Sequence, residues 1–385
     1  MLRLGTFYGR VRSTALKNYG SSIGEGQKLK MESIINESQN DGKTSQNLDD
    51  VKDARILVIG IGGAGNNQVT RIQNKEVEGA ETVAINTDKQ HLEMSSADRK
   101  ILVGKDLTRG LGAGGQPEKG ARSAEENRAE LRNLFKEADM VFLTAGMGGG
   151  TGTGATPVLA EIARKEDCIV IGTVTMPFEI EGARMTKAEE GLYRLRKHVD
   201  TAIVIENDKL LDIAGDMPLD QAFGVADELI TTMIKGITET ISKPSLVNLD
   251  YADVQAIMNE GGVAVVGYGE SDTSNKGREA IHEALSNPLL DVEFDGANGA
   301  LLHVAGGEDL TLNEINDVGQ NVTDKLNSQA QVIWGARIKE DLQGKMQVIS
   351  IITGVKSPYV LGELDEEEES EVTGNVDDLG LEIIE

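Results

Sequence analysis

Residues 140–164 read MVFLTAGMGGGTGTGATPVLAEIAR, and this stretch decides the fold. The apolar run 140–145 is rich in Val, Phe and Leu and predicts a buried strand. The residues after Gly154 carry Pro157 and apolar positions at helical spacing, which predict a helix. The sequence therefore predicts a strand, a glycine loop over residues 146–154, and a helix.

This order of elements is typical of an anion site. Glycines allow positive φ angles and let a ligand approach backbone N–H groups, and the following helix presents unpaired donors and the positive end of its dipole. The loop contains no Lys, so a Walker P-loop is excluded. Charge would then be neutralised by N–H groups, by the Thr151 and Thr153 hydroxyls and by a cation. The alternative is a glycine turn that only packs a helix on a sheet.

The segment GGGTGTG, followed by Ala-Thr-Pro, resembles the signature loop of the tubulin and FtsZ superfamily. On this motif the chain is identified as an FtsZ of the archaeal type. The resemblance implies a GTPase that binds GTP and GDP, assisted by Mg²⁺, and polymerises head to tail into the cell-division ring. The expected location is the cytoplasm, at the mid-cell ring.

Composition excludes several other functions. The net charge of −26 over 385 residues argues against binding nucleic acid or anionic lipid through the whole surface. Cys168 is the single cysteine, which excludes a disulfide framework, and the four His residues have no metal-ligand spacing. Since no apolar run reaches about 18 residues, we expect no membrane span.

Residues 1–53 are predicted to form a disordered extension. Residues 1–20 contain Arg and Lys but no acid, as in a transit peptide or a basic membrane-binding helix, and Met31 is a plausible alternative start. A disordered or artefactual extension is favoured over a targeting signal.

A second glycine motif follows the predicted strand ARILVIG. Residues 60–65 satisfy GxGxxG and open a helix, and Asp88 ends the next strand. An NAD-dependent dehydrogenase is therefore the alternative function. That alternative predicts one glycine motif and leaves the loop at 146–154 unexplained.

A third glycine cluster, residues 110–117, precedes the helical run 118–138. Three such loops in one α/β unit would line the carboxyl edge of a parallel sheet. One ligand that contacts all three must be larger than a phosphate, and the resemblance implies GTP. It assigns nucleotide binding to Gly63, Ala64, Gly65, Asn66, Asn67, Asn86, Ala113, Gly114, Gly148, Gly149, Gly150, Thr151, Gly152, Thr153, Glu181, Arg184, Asn207, Phe223 and Asp227.

Some of these residues have specific implied roles. Glu181 and Arg184 match positions that contact the sugar and base region, although the segment is about one residue shorter than the bacterial pattern and Arg184 could be a solvated charge. Asn207 is a guanine contact, Phe223 stacks on the base and Asp227 hydrogen-bonds it.

Pro218 starts a long helix whose apolar stripe steps by three and four residues. The resemblance places here the central helix that joins two domains. Beyond it, Asn248, Asp250 and Asp253 have the NxDxxD spacing of the loop that enters the pocket of the next subunit. Two carboxylates facing a phosphate pocket can polarise water or hold a cation. Asp253 could instead be a first-turn acid that complements a helix dipole.

Residues 262–355 carry four strand-like runs and two helical segments, which predict one sheet with helices on one face. We thus expect an α/β fold: a Rossmann-like GTPase domain with a parallel sheet (54–217), a central helix (218–245) and a smaller α+β C-terminal domain (246–355). The acidic tail 356–385 is predicted to be disordered. Its apolar end is either solvated or a docking peptide for membrane-anchoring division proteins.

Overall fold

The computed structural model describes residues 54–242, 246–247, 251–259, 263–286, 294, 297–326 and 329–355. The chain divides into two units, Met1–Asp53 and Ala54–Glu385, and all described residues belong to the second. Its strands are β1 (Ile56–Ile61), β2 (Ala80–Asn86), β3 (Arg99–Leu102), β4 (Met140–Gly146), β5 (Ile169–Met176), β6 (Thr201–Glu206), β7 (Val263–Ser271), β8 (Gly299–Gly306), β9 (Gln331–Ile338) and β10 (Met346–Val355).

Helices alternate with these strands in the first half of the unit. The described helices of the whole unit are α1 (Gly62–Asn74), α2 (Lys89–Met94), α3 (Lys105–Thr108), α4 (Pro117–Glu126), α5 (Arg128–Phe135), α6 (Thr151–Arg164), α7 (Ala183–Arg196), α8 (Asp208–Ala214), α9 (Leu219–Ser242), α10 (Tyr251–Asn259), α11 (Lys276–Leu285) and α12 (Leu312–Thr323). Two short 3₁₀ helices lie at Glu179–Glu181 and Glu340–Leu342.

The first six strands are parallel and lie in the order β3-β2-β1-β4-β5-β6. This is the doubly wound order, in which ligands bind outside the carboxyl ends where the strand order reverses, here between β1 and β4. Strand β1 illustrates that the sheet is buried on both faces. Leu57 and Ile59 belong to the core on one face, and Ile56 and Val58 to the core on the other.

The last four strands extend the same sheet. Strand β7 joins β6 through one residue pair, Ala202 with Val263, and β10 then pairs antiparallel with both β7 and β8. Helices α11 and α12 pack on one face, as predicted. The other face is not open, because α9 and α10 pack their apolar side chains against it.

Several boundaries differ from the sequence prediction. Helix α6 begins at Thr151, inside the predicted loop, and α1 begins at Gly62. The predicted helix over 118–138 is two helices, because Asn127 leaves helical geometry and its side-chain oxygen accepts a hydrogen bond from Gly104 N at 2.9 Å. The glycine loops are therefore shorter, and more of each motif lies at a helix N-terminus.

Candidate active site

The glycine motifs at residues 60–65 and 146–154 meet at the carboxyl edge of the sheet. Helix α1 follows β1 directly, and α6 follows β4 after four residues. A Cβ on Gly62, whose φ is +73°, would lie 2.9 Å from Gly152 N. The first turns of the two helices are thus in contact. Their unpaired N–H groups and positive dipole ends are placed side by side, which suits a polyphosphate.

The third glycine loop, residues 110–117, packs beside the N-termini of α1 and α6. We call these two helix N-termini and this loop the cradle. A Cβ on Gly150 would lie 2.8 Å from Ala113 Cβ and 2.9 Å from Gln116 N, so the loop that contains Ala113 packs directly against the N-terminus of α6. A Cβ added to Gly114 or to Gly149, by contrast, would have no atom within 4 Å. The open sides of these two glycines are where a ligand can approach the backbone.

Two threonine hydroxyls lie at the start of α6. Thr151 Oγ1 is 2.7 Å from Thr87 Oγ1, and both side chains are buried. Thr153 Oγ1 is buried and has no hydrogen-bond partner within the described chain. The Thr87 contact fixes the Thr151 rotamer, so the hydroxyl is positioned before a ligand arrives.

Asn66 and Asn86 lie beneath the loops. With its amide oriented to satisfy the surrounding groups, Asn66 donates to the carbonyl of Gly60 at 2.9 Å and accepts from Asn86 Nδ2 at 3.1 Å. Asn86 Oδ1 also accepts from the backbone of Thr87 at 2.9 Å. Both amides therefore support the loop, while Gly63, Ala64 and Asn67 are exposed above it and Gly65 is buried against β4.

Asp88, the residue on which the dehydrogenase alternative depended, is a helix-capping residue in this structure. Its side chain accepts a hydrogen bond from His91 N at 3.1 Å and caps α2. The ribose contact expected of a dinucleotide-binding domain would require this carboxylate.

The start of α9 lies near the ends of β5 and β6. Phe223 is exposed, and its ring centroid is 6.0 Å from that of Phe178. Asp227, one turn further along α9, is buried and forms an ion pair with Arg71 of α1 at 2.8 Å. Burial raises the pKa of Asp227 to about 6, although Arg71 and a hydrogen bond from Gln68 both lower it.

Glu181, Arg184 and Asn207 border the same region. Glu181 Oε1 accepts from Phe178 N at 3.1 Å, and the Arg184 guanidinium pairs with the other Glu181 oxygen. A Cβ on Gly148 would lie 2.8 Å from the Arg184 carbonyl, so α7 begins against the glycine loop that follows β4. Asn207 is half-buried and precedes α8 at the end of β6.

Asp253 lies on α10, the helix that begins near the opposite edge of the sheet. It is half-buried in the first turn of α10. Two residues earlier, Tyr251 donates a hydrogen bond of 2.6 Å to the carbonyl of Asp139, which directly precedes β4. The glycine loop follows β4, so a seven-residue strand, about 20 Å long, separates the two regions. Asn248 and Asp250 lie outside the described residues.

Sequence reasoning missed Arg71, Gln68, Thr87 and Lys187. Lys187 Nζ donates to the carbonyl of Gly115 at 2.8 Å, so α7 contacts the third loop. These residues stand in ordinary helical or loop sequence, where a polar residue by itself does not indicate a functional site. Only the helix packing shows that they are directed toward the site.

Across the described ranges, no cluster of three or more His, Cys, Asp or Glu side chains could hold a metal ion. Among the helices that the structure describes, none is both long and apolar enough to cross a membrane.

The chain is similar to known proteins over most of its length. Residues 55–215 match the GTPase domain of the Tubulin/FtsZ family, and residues 262–356 match the C-terminal domain of the FtsZ family. Cell division protein FtsZ 2 of Methanocaldococcus jannaschii is 55% identical over 317 residues, which are 82% of this chain and 83% of that protein. FtsZ 2 of Haloferax volcanii is 52% identical over 326 residues, 85% of this chain and 82% of that protein.

A solved structure agrees with the sequence matches. The empty FtsZ dimer of M. jannaschii superposes with a TM-score of 0.74 at 49% identity, and the match covers 84% of this chain and 92% of that one.

Proposed function

The chain belongs to the FtsZ family of the tubulin superfamily and is therefore a GTPase, and from this we propose that its active site is completed between adjacent subunits of a head-to-tail polymer at the division ring. Family membership bears out the expectation drawn from GGGTGTG and removes the dehydrogenase alternative. One observation carries the shared-site proposal: the glycine loops and the Asp253 region lie at opposite ends of β4.

Within one subunit, the phosphates of GTP bind to the cradle. The first turns of α1 and α6 donate N–H groups, and the open sides of Gly114 and Gly149 leave room for close approach. The base lies against Phe223, Asp227 and Asn207, and the sugar lies near Glu181 and Arg184. Central helix α9, about 36 Å long, extends from the base site toward the other end of the subunit.

Hydrolysis needs a water that attacks the terminal phosphate. Asp253, the described carboxylate proposed for catalysis, belongs to the region at the far end of β4 from the cradle, and that strand is about 20 Å long. A neighbouring subunit stacked on the cradle brings its Asp250 and Asp253 to the phosphates. There they order and polarise the attacking water, while the N–H donors stabilise the charge on the phosphate oxygens.

Mg²⁺ fits this site as a cation shared with the nucleotide. The described part of the cradle offers the Thr151 hydroxyl and backbone N–H donors but no carboxylate cluster. Mg²⁺ commonly keeps several waters and binds phosphate oxygens with few protein ligands. When bound, it would neutralise phosphate charge, with Thr151 the described side chain suited to hold it.

We further propose the domain boundaries 54–217, 218–245 and 246–355, which the two family matches support. The tail, residues 356–385, lies outside the described residues. We propose that it docks membrane-anchoring division proteins. Removal of residues 357–385 should leave GTP hydrolysis nearly unchanged, and a loss of GTP binding would refute the boundary.

Mixing two inactive variants tests the shared site. Asp250→Ala should bind GTP normally but hydrolyse it about 10²-fold to 10⁴-fold more slowly. Thr151→Arg should not bind GTP but keeps both aspartates. Mixed together, they should recover part of the phosphate release. Asp317→Ala, which removes an acid from α12, is the matched control and should leave hydrolysis unchanged.

The wild-type protein offers a second test. Its activity per molecule should rise steeply with protein concentration. A specific activity that is constant on dilution, together with no recovery on mixing, would refute completion of the site between subunits.

A further inference from the structure

The ion pair between Arg71 and Asp227 joins α1 to the central helix next to the proposed base site. Arg71 Nε is 2.8 Å from Asp227 Oδ2, and the Asp227 side chain is 11% exposed whereas that of Arg71 is 44% exposed. A Cβ on Gly224 would lie 3.2 Å from Arg71 Nη1, so the glycine leaves room for the guanidinium beside α9.

Asp227 also has a neutral partner beneath it. Gln68 hydrogen-bonds the carboxylate, and the Thr144 hydroxyl of β4 donates in turn to Gln68 Oε1. The neighbouring acid on α9, Glu228, is paired with Lys75, which directly follows α1. Arg71 is thus the cation that acts on Asp227 from the packed helix.

The protonation state of Asp227 decides which base it can recognise. The Watson–Crick edge of guanine presents N1–H and the 2-amino group, and both are donors. An ionised carboxylate accepts from both of them, whereas a protonated carboxyl must offer one O–H. Burial favours the protonated form, so the site needs a nearby cation to keep Asp227 an acceptor.

We propose that Arg71 is a positioning residue for base selection, whose guanidinium holds the Asp227 carboxylate ionised and oriented so that the site prefers guanine. The inference rests on the proposed base contact of Asp227. Arg71 acts through Asp227 and need not touch the nucleotide.

The test compares GTP with ITP, which lacks the 2-amino group. Because both carry the same triphosphate, titration of the phosphates cancels in the ratio of their affinities. The affinities for GTP and ITP are measured by competition with a fluorescent GTP analogue from pH 5 to 8.5. The wild type and all variants are kept at low protein concentration. For the wild type, we expect GTP to bind about tenfold or more tightly than ITP at pH 7.5, the usual gain for one charge-assisted hydrogen bond.

The direction of the pH effect follows from the raised pKa of Asp227, about 6. The ratio should fall as the pH drops through that value, because the carboxylate becomes protonated. In Arg71→Met the pKa rises further, so the ratio should approach one at pH 7 and recover only at higher pH. Arg71→Lys should restore a midpoint near that of the wild type, since it keeps the charge.

Arg132→Met is the matched control. It removes an arginine that is ion-paired with Glu166 at 2.5 Å, and it should leave both the ratio and its midpoint unchanged. If Arg71→Met keeps the wild-type ratio and midpoint, the inference is wrong. Should that variant fail to fold, the wild type decides, because a GTP/ITP ratio that stays flat from pH 8 to 5 also overturns the inference.

Asp227→Asn separates this inference from the proposed base contact. The variant should lose GTP affinity and gain XTP affinity, since xanthine has an acceptor in place of the 2-amino group. A variant that keeps the wild-type preference would refute the base contact itself and, with it, the role of Arg71. A switched preference combined with an unaffected Arg71→Met protein would refute only the role of Arg71.

Discussion

Two adjacent glycines provide a matched pair for testing where the phosphates bind. A methyl group on Gly149 would have no atom within 4 Å, whereas on Gly150 it would lie 2.8 Å from Ala113 Cβ and 2.9 Å from Gln116 N. Neither residue has positive φ, so alanine is compatible with the backbone at both positions. The two substitutions therefore differ in what the new methyl group contacts.

The structure predicts that only one of the two substitutions destabilises the fold. Gly150→Ala forces the third loop away from α6, and such overpacking usually costs about 1–3 kcal/mol. Each kcal/mol lowers the Tm by about 2–4 °C in a domain of this size class. Gly149→Ala should change the free energy of unfolding by less than about 0.5 kcal/mol, because its methyl group extends into open space.

Both variants should lose GTP affinity, but only Gly149→Ala should do so without losing stability. If phosphates occupy the open side of Gly149, its methyl group displaces them, and Gly149→Ala should lose about tenfold or more in GTP affinity, the equivalent of ~1.4 kcal/mol. Gly150→Ala should lose both stability and affinity. The assay pairs thermal unfolding without nucleotide with equilibrium GTP binding. A Gly149→Ala protein that binds GTP as the wild type does would show that the phosphates bind elsewhere.

Three further predictions concern buried groups. Burial raises the pKa of the Cys168 thiol from 9.0 to about 12, so at pH 8 Ellman's reagent should modify the native protein about a thousandfold more slowly than the unfolded chain, and equal rates would contradict its burial. Burial lowers the pKa of His303 from 6.5 to about 4, so its contribution to stability is present above pH 6.5 and is lost as the pH falls through about 4; urea unfolding of His303→Gln should show a weaker loss between these values, and an identical loss would rule this out. Lys276 is buried between Asp309, at 2.5 Å, and Glu314, at 3.4 Å, so Lys276→Met should lower the free energy of unfolding by about 2 kcal/mol, and the idea fails if urea titration finds no change.

Much of the fold could be predicted because it follows from local patterns. The apolar runs at β1, β4 and β5 are short, bounded by polar or glycine residues and buried on both sides, so periodicity and length agree. Helix α9 was predictable from its stripe, and it begins one residue after Pro218, as the fixed φ of proline favours.

The helix starts and the side-chain partners could not be predicted. Glycine-rich sequence normally indicates a loop, yet Gly152 and Gly154 lie in α6. Glycine is needed at these two helical positions because a side chain would collide with the backbone of β4 or α4. The ion pair of Arg71 with Asp227 joins residues 156 positions apart in sequence, and only the packing of α1 on α9 brings them together. Sequence patterns carry no information on such contacts.

The placement of the cradle at one end of β4 and α10 at the other has a consequence for symmetry. If the two halves of the active site lie at opposite ends of the subunit, outside any one patch, a twofold pair cannot join them, because an isologous contact uses one and the same patch on both partners. Association must be heterologous, and such contacts add subunits without closing into a pair. A filament then contains one complete site fewer than it has subunits, since one terminal subunit has an unmatched cradle and the other has unmatched aspartates. Its two ends are chemically different, so each end presents a different surface to an incoming subunit.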